Sequence, residues 1–431
     1  MVVNRARMQP GAAMLELLQR FAVFGATPKG GVTRLCGSSE DKQARDLFAA
    51  ELAAAGAQTR TDAVGNQFGI FPLTDAEDAP LVMMGSHLDS QPCAGKLDGA
   101  LGVAAALSTG AALLEAKRQG AKFNANFCAV NWTNEEGARF RPSLLGSGTF
   151  AGAFAADYAL ARRDDAGVSL GDALDTIGYR GTDAPPQPAC YLELHIEQGS
   201  VLEDEGARIG IVTRNWGAVK LDVVFTGEQA HTGPTPMERR KDALLAAAYA
   251  IADIRAIAAH WPGQVHSSVG RMIISPNSAN VVPARVELSV EVRSADDEVL
   301  AKASEMAVAA IAAAGPRAAV TAEIAGRSNR LARGLPPEVS ELVALCAAEA
   351  GHKSRLMDTV AGHDALSLLG LCPMGLIFVP SIGGITHNEA EATAEEDLLA
   401  GLDVCLRAVR RLCLAGGAPD AAAGILEAVA P

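Results

Sequence analysis

The feature that most limits how this chain can fold is a loop, residues 85–99, enclosed by two apolar segments. The run before it, residues 80–84, predicts a buried strand, and residues 100–107 predict the buried start of a helix. Open α/β sheets place their binding sites in such loops, where a strand ends and a helix begins. The stretch therefore predicts a layered α/β domain with a site at this strand end. The loop carries His87, Asp89 and Asp98, whose side chains can bind metals or protons.

The spacing within this loop suits metal binding. His87 and Asp89 are two residues apart on an extended segment, so their side chains can point the same way. That arrangement suits an imidazole ligand whose tautomer is fixed by an outer carboxylate, and Asp98 could bind from the far end of the loop. The same residue types also form turns and cap helices, so the loop alone leaves both interpretations open.

Composition limits the class of protein. With 431 residues, of which 49% are apolar and 20% charged, the chain is expected to be globular and to contain two domains. The net charge of −13 argues against nucleic acid as a partner, because binding phosphate requires basic patches. Eight cysteines without CxxC spacing indicate reduced thiols and a cytoplasmic location.

Targeting signals are not predicted. Residues 1–10 contain Arg5 and Arg7, but no apolar segment follows them, so we expect no secretion signal. No apolar run approaches the ~20 residues that cross a bilayer, so we expect no membrane partner.

Three further strand ends deliver polar residues. The apolar run 127–132 leads directly into Glu135 and Glu136, residues 190–195 predict a strand that ends in His195, and a strand at 374–379 precedes a loop with His387. The alternation of strands and helices supports the α/β class.

The pattern changes between residues 213 and 328. Residues 219–225 and 285–293 alternate apolar and polar, as half-buried antiparallel strands do. Together with helices at 241–260 and 295–314 and a strand at 318–325, they predict an α+β domain in the order β-α-β-β-α-β, with one open sheet face. We therefore predict a discontinuous catalytic domain, residues 1–212 and 329–431, with an inserted domain at 213–328. The Ala-, Gly- and Pro-rich tail after 414 is expected to be loosely held.

Five residues at the predicted strand ends form a candidate metal site. Imidazole with carboxylate is the ligand mix of zinc, manganese, cobalt or nickel. Three histidines and two carboxylates suit two ions if one carboxylate bridges, and two such ions can lower the pKa of a shared water. Any one of these residues alone is more often structural, but the five together favour a metal site. They are His87, Asp98, Glu136, His195 and His387.

The pair Glu135 and Glu136 suggests a division of labour. Adjacent residues rarely bind one ion together, so one carboxylate would be a ligand and the other a general base for the water. Such a pair is more commonly a solvated helix start. Its position after an apolar strand that should end inside the protein favours the catalytic interpretation.

Seven motifs in combination resemble a known family. From about residue 15 to 412 the chain resembles the amidase, hydantoinase/carbamoylase branch of the M20 metallopeptidase-like family, in particular its β-ureidopropionase and N-carbamoyl-L-amino acid hydrolase members. Gln91 and Pro92 resemble the former. The motifs are GSHLDSQPCAGKLDG, NWTNEEGARF, ELHIEQG, GEQAHTGPTPM, NSANVVP, AGHDA and GGITHNE.

The resemblance implies a mixed-sheet catalytic domain with a dinuclear zinc-type site and an inserted α+β lid that also dimerises. In this scheme His87, Asp98 and His195 hold one ion, and Asp98, Glu136 and His387 hold the other. Asp98 bridges the ions. Glu135 is the catalytic base, and Asp89 orients His87.

The resemblance also implies substrate contacts at Gln198, His231, Asn280 and Arg293, with His231 supplied by a partner subunit, so that a homodimer is expected. Judged from the residues, Arg293 suits a substrate carboxylate, but a single arginine at such a position more often belongs to a solvated sheet face. His231 could donate to an oxyanion, whereas Asn280 could be only a turn residue.

Four further positions lie in or beside these motifs. Gly383 and Gly384 allow close backbone approach to a ligand. His363 is expected to be structural or to support a ligand, without binding metal itself. Cys93 receives no role.

These expectations combine into one function. The chain is predicted to be a metal-dependent amidohydrolase that cleaves the carbamoyl C–N bond of N-carbamoyl amino acids, using two divalent ions, zinc or otherwise manganese, cobalt or nickel. The nearest alternatives are an allantoate or ureidoglycolate amidohydrolase and an N-acyl amino acid or peptide hydrolase. A binding protein that has lost catalysis is a rival of another class. A structural assembly protein has only the dimerising domain in its favour.

Overall fold

The chain divides into two units in the computed structural model, which describes residues 9–425. The first unit runs to Thr213 and also contains Leu335–Met357 and the chain from Gly362 on. The second unit comprises Arg214–Gly334 together with Asp358–Ala361. The second unit therefore ends six residues beyond the expected boundary at 328, and it includes a short segment that the sequence assigned to the catalytic domain. Most of the segment for which no secretion signal is expected, residues 1–8, lies outside the described residues.

Helices and strands alternate through most of the described chain. The helices are α1 (Pro10–Phe21), α2 (Ser39–Ala55), α3 (Ala100–Arg118), α4 (Leu145–Phe150), α5 (Ala156–Leu160), α6 (Leu170–Ile177), α7 (Val201–Glu205), α8 (Ala243–Ile257), α9 (Asp297–Arg317), α10 (Pro337–Glu349), α11 (Asp364–Ser367), α12 (Glu395–Leu414) and α13 (Pro419–Ala423). The strands are β1 (Gln58–Thr61), β2 (Gln67–Phe71), β3 (Leu81–His87), β4 (Asn126–Trp132), β5 (Cys190–Ile196), β6 (Ile209–Asn215), β7 (Gly217–Thr226), β8 (Ala230–His231), β9 (Val265–Ser275), β10 (Val281–Val282), β11 (Arg285–Ser294), β12 (Thr321–Arg330), β13 (Arg333–Gly334), β14 (Ser354–Thr359) and β15 (Met374–Val379). Short 3₁₀ turns occupy Met237–Arg239, Ala258–His260 and Ile382–Gly384.

A mixed sheet forms the centre of the first unit. Its strand order is β1-β2-β4-β3-β5-β15-β6, and β14 also pairs with β6. The middle strands β4, β3, β5 and β15 are mutually parallel, whereas β2 and β6 pair with this group in the antiparallel direction. Strands β3, β5 and β15 are buried along their whole length, which explains their nearly continuous apolar sequences. The predicted mixed α/β class is confirmed.

Helix α3 holds the ligand loop (residues 85–99) against this sheet. Its first eleven residues are all buried. An ideal Cβ on Gly102 would lie 2.6 Å from the carbonyl oxygen of Leu194 and 2.7 Å from Cβ of Ser86. Glycine at this position therefore lets the helix backbone approach β3 and β5 closely, which keeps the loop that precedes the helix beside the strand ends.

Three helices within residues 9–425 are long and apolar enough to cross a membrane, judged by length and composition alone: α3, α8 extended to His260, and α9. The expectation that no segment has this character was therefore wrong. The reason is that alanine raises the mean hydropathy of a helix without forming an unbroken run of large apolar side chains. The apolar window of α3 is 72% buried within the structure, as expected of a helix that is apolar on all sides because it lies in a core.

The second unit is built on an antiparallel sheet of order β12-β7-β11-β9. Strand β11 has Val286, Leu288, Val290 and Val292 on one face, where they pack with residues of α8 and α9 in a single apolar core. The alternation predicted for β7 and β11 and the order of strands and helices both agree with the structure. A small two-stranded sheet, β8 with β10, adds to the predicted pattern.

Residues 415–425 pack on the first unit, contrary to the expectation of a loosely held tail, and residues 426–431 lie outside the described residues. The N–H of Gly417 donates to the carbonyl of Leu412 at 2.8 Å, and Ala422 of α13 is buried in the core of the first unit. Apolar alanine in a Pro-started helical turn supplies this packing, which the composition alone does not indicate.

Candidate metal centre and active site

The parallel strands of the first unit bring the five predicted ligands to one edge of the sheet. His87 is the last residue of β3 and His195 lies near the end of β5. Asp98 lies in the loop between β3 and α3, Glu136 follows β4, and His387 lies in the loop after β15. Residues far apart in sequence meet here because the carboxyl ends of parallel strands share one edge.

The first group of donors consists of His87, Asp98 and His195. The Nε2 atom of His195 lies 3.0 Å from Oδ1 of Asp98, and Nε2 of His87 lies 3.5 Å from the same oxygen. All three side chains are buried, and their donor atoms lie within 4.8 Å of one another.

The second group consists of Asp98, Glu136 and His387. The Nε2 atom of His387 lies 3.3 Å from Oδ2 of Asp98 and 3.4 Å from Oε2 of Glu136. The His387 side chain is 46% exposed, whereas that of Glu136 is 5% exposed. The two groups therefore share Asp98, one through each carboxylate oxygen, and the second group is the one open to solvent.

The two buried histidines direct the same nitrogen into the site. Nδ1 of His87 lies 2.8 Å from the carbonyl oxygen of Asp89, and Nδ1 of His195 lies 2.9 Å from that of Ile196. A carbonyl can only accept, so Nδ1 is the protonated nitrogen of each neutral ring, and Nε2 carries the lone pair that a metal ion can take. In the protonated, metal-free ring Nε2 donates to Asp98 instead. The N–H of Gly99 donates to Nε2 of His195 at 3.3 Å, which agrees with this tautomer.

These residues fit a pair of divalent cations. Ligands about 2.0–2.1 Å from a tetrahedral zinc ion lie roughly 3.3–3.4 Å from one another. The separations of 3.0 to 3.5 Å between imidazole and carboxylate atoms match that spacing in both groups. Imidazoles held by backbone carbonyls on their outer nitrogen are also typical of metal ligands.

Glu135 lies beside the first group. Its Oε2 atom is 3.5 Å from Nε2 of His87, and the residue is 8% exposed. Burial raises the pKa of Glu135 well above its usual value, an effect that the charge of His87 opposes and the carboxyl groups of Asp364, Glu136 and Asp89 reinforce. A carboxylate with a raised pKa is a better proton acceptor near neutral pH.

The pKa values of the other ionisable groups shift in different directions: that of Asp98 is lowered, and those of Glu136 and His387 are raised. Burial would raise the pKa of Asp98, but the charge of His195 and hydrogen bonds from the three histidines hold it well below its usual value. Burial and the nearby Asp98 raise the pKa of Glu136 to about 7. The hydrogen bond to Asp98 raises the pKa of His387 to about 9. Such divergence within one cluster is typical of functional sites.

Asp89 contacts the site differently from the expectation. Its backbone carbonyl, not its carboxylate, holds His87, because the nearest carboxylate oxygen is 3.8 Å from Nδ1. The carboxylate instead accepts the N–H of Glu135 at Oδ1 (3.1 Å) and of Glu136 at Oδ2 (3.3 Å). Asp89 therefore fixes the turn that carries both glutamates.

Gln198 lies at the cluster, where its Nε2 donates to Oδ2 of Asp98 at 2.8 Å. The predicted substrate contacts Gly383 and Gly384 both have left-handed φ values, and both of their N–H groups already donate, to Oε2 of Glu203 and to the carbonyl of Ser381. An ideal Cβ on Gly384 would lie 3.0 Å from the backbone of residues 199 and 200. Glycine there is explained by packing on the Gln198 loop, and contact with a substrate stays a prediction.

The other predicted substrate contacts belong to the second unit. His231 in β8 pairs with Val281 in β10, and the N–H of Thr232 donates to the carbonyl of Asn280 at 3.2 Å, so His231 and Asn280 are neighbours. Nη2 of Arg293 lies 2.9 Å from the Glu291 carboxylate. The approach of these three residues to the metal ligands stays a prediction.

His363 is buried against His195, with ring centroids 4.5 Å apart. Together with Glu193 the two histidines form a third group of donors within 4.8 Å. Both nitrogens of His195 already face Asp98 and the carbonyl of Ile196. We therefore assign no separate ion to this group, and His363 supports the ligand His195 by packing.

All eight cysteines are free, as expected for reduced thiols, and seven are buried. Cys93 is the exposed one. It lies in the ligand loop with a φ of 51°, and its N–H donates to Oγ1 of Thr33 at 2.8 Å.

Sequence reasoning missed two residues that hold ligands. Gln91 donates from Nε2 to Oε2 of Glu136 at 2.9 Å and from its backbone N–H to Oε1 at 3.2 Å. The carboxylate of Glu391 accepts the N–H groups of Leu97 and Asp98. Gln91 could have been found from its place beside the ligands in the first motif. Glu391 offers only its position four residues after His387 as a signal.

Known proteins match the chain over most of its length. The sequence profile of Peptidase family M20/M25/M40 matches residues 83–411. An N-carbamoyl-L-amino-acid amidohydrolase of Rhizobium meliloti is 38% identical over 410 residues, which cover 91% of this chain and 94% of that protein. An allantoate amidohydrolase of Bacillus subtilis is 33% identical over 412 residues, 93% of this chain and 97% of the relative.

Solved structures agree with the sequence matches. The crystal structure of an amidase of the hydantoinase/carbamoylase family from Burkholderia vietnamiensis superposes with a TM-score of 0.89 at 37% identity. The match covers 94% of this chain and 97% of the amidase.

Proposed function

The chain belongs to Peptidase family M20/M25/M40 and is an amidohydrolase of the carbamoylase/allantoate group, and from this membership we propose that it hydrolyses N-carbamoyl amino acids. The substrate would be N-carbamoyl-β-alanine or an N-carbamoyl-L-α-amino acid, and the products the free amino acid, carbon dioxide and ammonia. The observation that carries the proposal is Asp98, whose two carboxylate oxygens face different histidines beside the buried Glu135.

We propose two divalent cations as cofactors, zinc in the first instance, with manganese, cobalt or nickel as alternatives. His87, Asp98 and His195 would hold one ion, and Asp98, Glu136 and His387 the other. When bound, the ions lower the pKa of a water and polarise the substrate carbonyl.

Glu135 is the proposed base. It accepts a proton from the attacking water at a carboxylate oxygen and then delivers that proton to the leaving amine nitrogen. Asp89 holds Glu135 in place through the backbone N–H at 3.1 Å. The attack forms a bond to the carbamoyl carbon and breaks its bond to the amino acid nitrogen, and the carbamic acid released then decomposes.

The substrate carboxylate is assigned to the guanidinium of Arg293, with Asn280 and Gln198 as further donors and Gly383 and Gly384 beside them. Within residues 9–425, Arg293 uses one N–H on Glu291 and another on the carbonyl of Val360, and we assign the other three of its five donors to a ligand. His231 would donate to the developing oxyanion.

We also propose a homodimer formed through the second unit, with His231 reaching the site of the partner, and a cytoplasmic location that suits eight free cysteines. The strongly negative net charge does not suit nucleic acid as a partner, and we expect no membrane partner.

The test compares Glu135→Gln with Glu51→Gln. Both glutamates are buried to a similar degree, 8% and 7% exposed, but Glu51 lies in α2 and pairs with Arg20. Glu135→Gln is expected to keep its metal and to lose about 10²–10⁴-fold in turnover, whereas Glu51→Gln keeps its turnover. Ammonia release and metal content are measured on the same samples. Near-normal turnover of Glu135→Gln would remove Glu135 as the base.

The substrate is decided by a panel. The allantoate amidohydrolase relative makes an allantoate or ureidoglycolate substrate the second candidate. Ammonia release is measured with N-carbamoyl-β-alanine, N-carbamoyl-L-α-amino acids, allantoate and ureidoglycolate, and amine release with N-acyl amino acids. A clear preference for allantoate would replace the proposed substrate. Absence of turnover on every compound, with no bound metal, would favour a binding protein.

A further inference from the structure

Glu391 is a buried carboxylate that the proposed reaction does not use. It lies in the loop after β15, is 4% exposed, and directs Oε1 at two backbone N–H groups of the ligand loop. Those N–H groups belong to Leu97, at 3.0 Å, and to Asp98, at 3.2 Å. The loop that contains His387 is thus hydrogen-bonded, through Glu391, to the backbone of Asp98, the residue proposed to bridge two ions. Asp98 lies 293 positions earlier in the chain than Glu391.

The second carboxylate oxygen of Glu391, Oε2, accepts a hydrogen bond from Thr386, which also lies near Asp98. Oγ1 of Thr386 lies 3.4 Å from Oε2 of Glu391 and 3.5 Å from Oδ2 of Asp98. The backbone N–H of Glu391 donates to the carbonyl of Asn388 at 3.0 Å, which closes the turn that follows His387. Glu391 therefore ties together the two loops that supply Asp98 and His387.

Gly95 makes room for this carboxylate. An ideal Cβ on Gly95 would lie 2.0 Å from Cδ and from Oε1 of Glu391. The three atoms nearest to it all belong to the Glu391 side chain, and the φ of Gly95 is outside the left-handed region. The space needed by Glu391, and not backbone conformation, explains glycine at position 95.

We infer that Glu391 is a positioning residue that sets Asp98 and His387 at the separation required for a shared pair of cations. A bridging carboxylate must keep its two oxygens directed at different ions, so its backbone has to be fixed independently of its ligand contacts. Glu391 supplies that support through the backbone N–H of Asp98, not through the Asp98 carboxylate. The inference rests on the proposed metal centre and adds a residue to it.

The experiment measures zinc binding to the metal-free full-length chain, by competition with a chromophoric chelator and by counting bound zinc per chain. Glu391→Ala is expected to weaken binding of zinc by about 10–100-fold, the usual effect of losing a group that supports a ligand. Glu391→Gln should stay close to the unaltered chain, because its amide oxygen can still accept both N–H groups and its NH₂ can donate to Thr386.

Asp62→Ala is the matched control. One oxygen of Asp62 likewise accepts two backbone N–H groups, those of Val64 and Asn66, and the residue is 6% exposed. Its partners lie in its own turn. Asp62→Ala should lower the melting temperature of the metal-free chain at least as much as Glu391→Ala does, while leaving the affinity for zinc unchanged.

Gly95→Ala tests the same contact from the other side. The added methyl displaces the Glu391 carboxylate, so this variant should weaken zinc binding as Glu391→Ala does. In the double variant the methyl meets no carboxylate, and the two losses should not add. If Glu391→Ala fails to fold, Gly95→Ala alone decides the matter: weakened zinc binding supports the inference, and unchanged zinc binding overturns it.

Four outcomes are distinguished. Loss of affinity in Glu391→Ala and Gly95→Ala with retention in Glu391→Gln supports the inference. Glu391→Gln as weak as Glu391→Ala, or fully additive losses in the double variant, overturns it. If the unaltered chain holds two zinc ions and Glu391→Ala binds zinc equally tightly, this inference is overturned but the proposed metal centre is not. An unaltered chain that holds no zinc overturns the proposed metal centre as well.

Discussion

Gly99 shows how a single residue without a side chain positions a ligand. It precedes α3 with a φ of 67°, and an ideal Cβ on it would lie 2.5 Å from three ring atoms of His87. We predict that Gly99→Ala displaces the His87 ring and weakens zinc binding at the first group by at least ~10-fold, as expected when a ligand is misplaced. The measurement is the zinc affinity of the purified variant.

The control for Gly99→Ala is Gly178→Ala. Gly178 also has a left-handed φ, 76°, but an added Cβ would meet nothing within 4 Å. This variant carries the backbone strain of about 1–2 kcal/mol without the clash. If both variants lose zinc affinity equally, the strain and not the His87 contact is responsible.

Arg293 allows a comparison with a second arginine on the same strand. Arg293 and Arg285 both lie on β11, and each pairs with a glutamate two residues away. We predict that Arg293→Ala lowers kcat/KM for N-carbamoyl amino acids by about 100-fold, since a charged hydrogen-bonding partner of the carboxylate is lost. Neutral carbamoyl amides should be much less affected.

Arg285→Ala should leave both substrate classes unchanged. Equal losses on charged and neutral substrates in Arg293→Ala would contradict a carboxylate contact and indicate a structural role, such as its bond to the carbonyl of Val360.

At the level of residues, the sequence identified five side chains that the structure brings together, but few of the contacts that support them. His87, Asp98 and His195 could be chosen because imidazole and carboxylate groups recur at several predicted strand ends, although each one alone is more often structural. The contacts of Asp89 and Glu391 could not be foreseen, because each carboxylate binds backbone N–H groups. Almost every residue has a backbone N–H, so the residue type of the donor does not indicate that the contact exists.

Among the elements, the buried parallel strands were the easiest to predict. Strands β4, β5 and β15 begin and end within about one residue of their apolar runs, since both faces of each are covered. Strand β9 could not be placed from the sequence alone. It contains serine, glycine and arginine, and it lies at an edge of its sheet with many of its residues exposed.

Helix α3 connects sheet packing with the metal site, which gives a prediction at the level of elements. Gly102 faces the backbone of Leu194 near the ligand end, while Gly110, two turns later, faces the ring of Phe71, with Cβ distances of 2.6 and 2.3 Å. We predict that Gly102→Ala shifts the start of α3 and weakens zinc binding. Gly110→Ala should destabilise the fold without that effect.

The measurements are urea unfolding of the metal-free variants and their zinc affinities. Overpacking of this kind typically costs 1–3 kcal/mol of the free energy of unfolding. A loss of zinc affinity that simply follows the loss of stability in both variants would show that α3 does not position the ligand loop.

For the whole molecule, the proposed dimer leads to a prediction about β9. This edge strand exposes Met272 (44%) and Ile273 (37%), and edge strands pair readily with other chains unless charged residues block them. We predict that Met272→Lys combined with Ile273→Lys converts a dimer into a monomer in sedimentation velocity. Turnover should fall while bound zinc is retained, because His231 is proposed to come from the partner.

Leu356→Lys serves as the control, since Leu356 is 62% exposed on β14, outside the second unit. A double variant that stays dimeric would exclude this edge as the interface. A monomer with full turnover would exclude a shared active site.

The division of the chain has a consequence for its synthesis. The second unit needs Asp358–Ala361, where the Val360 carbonyl accepts from Arg293 and Asp358 accepts from the indole of Trp216 at 3.2 Å. On the ribosome the segment up to Gly334 emerges first, and at ~5–20 residues per second its missing piece follows seconds later. Nascent chains arrested before residue 358 should therefore expose an incomplete second unit to chaperones, while those arrested after residue 361, once clear of the exit tunnel, should resist protease there.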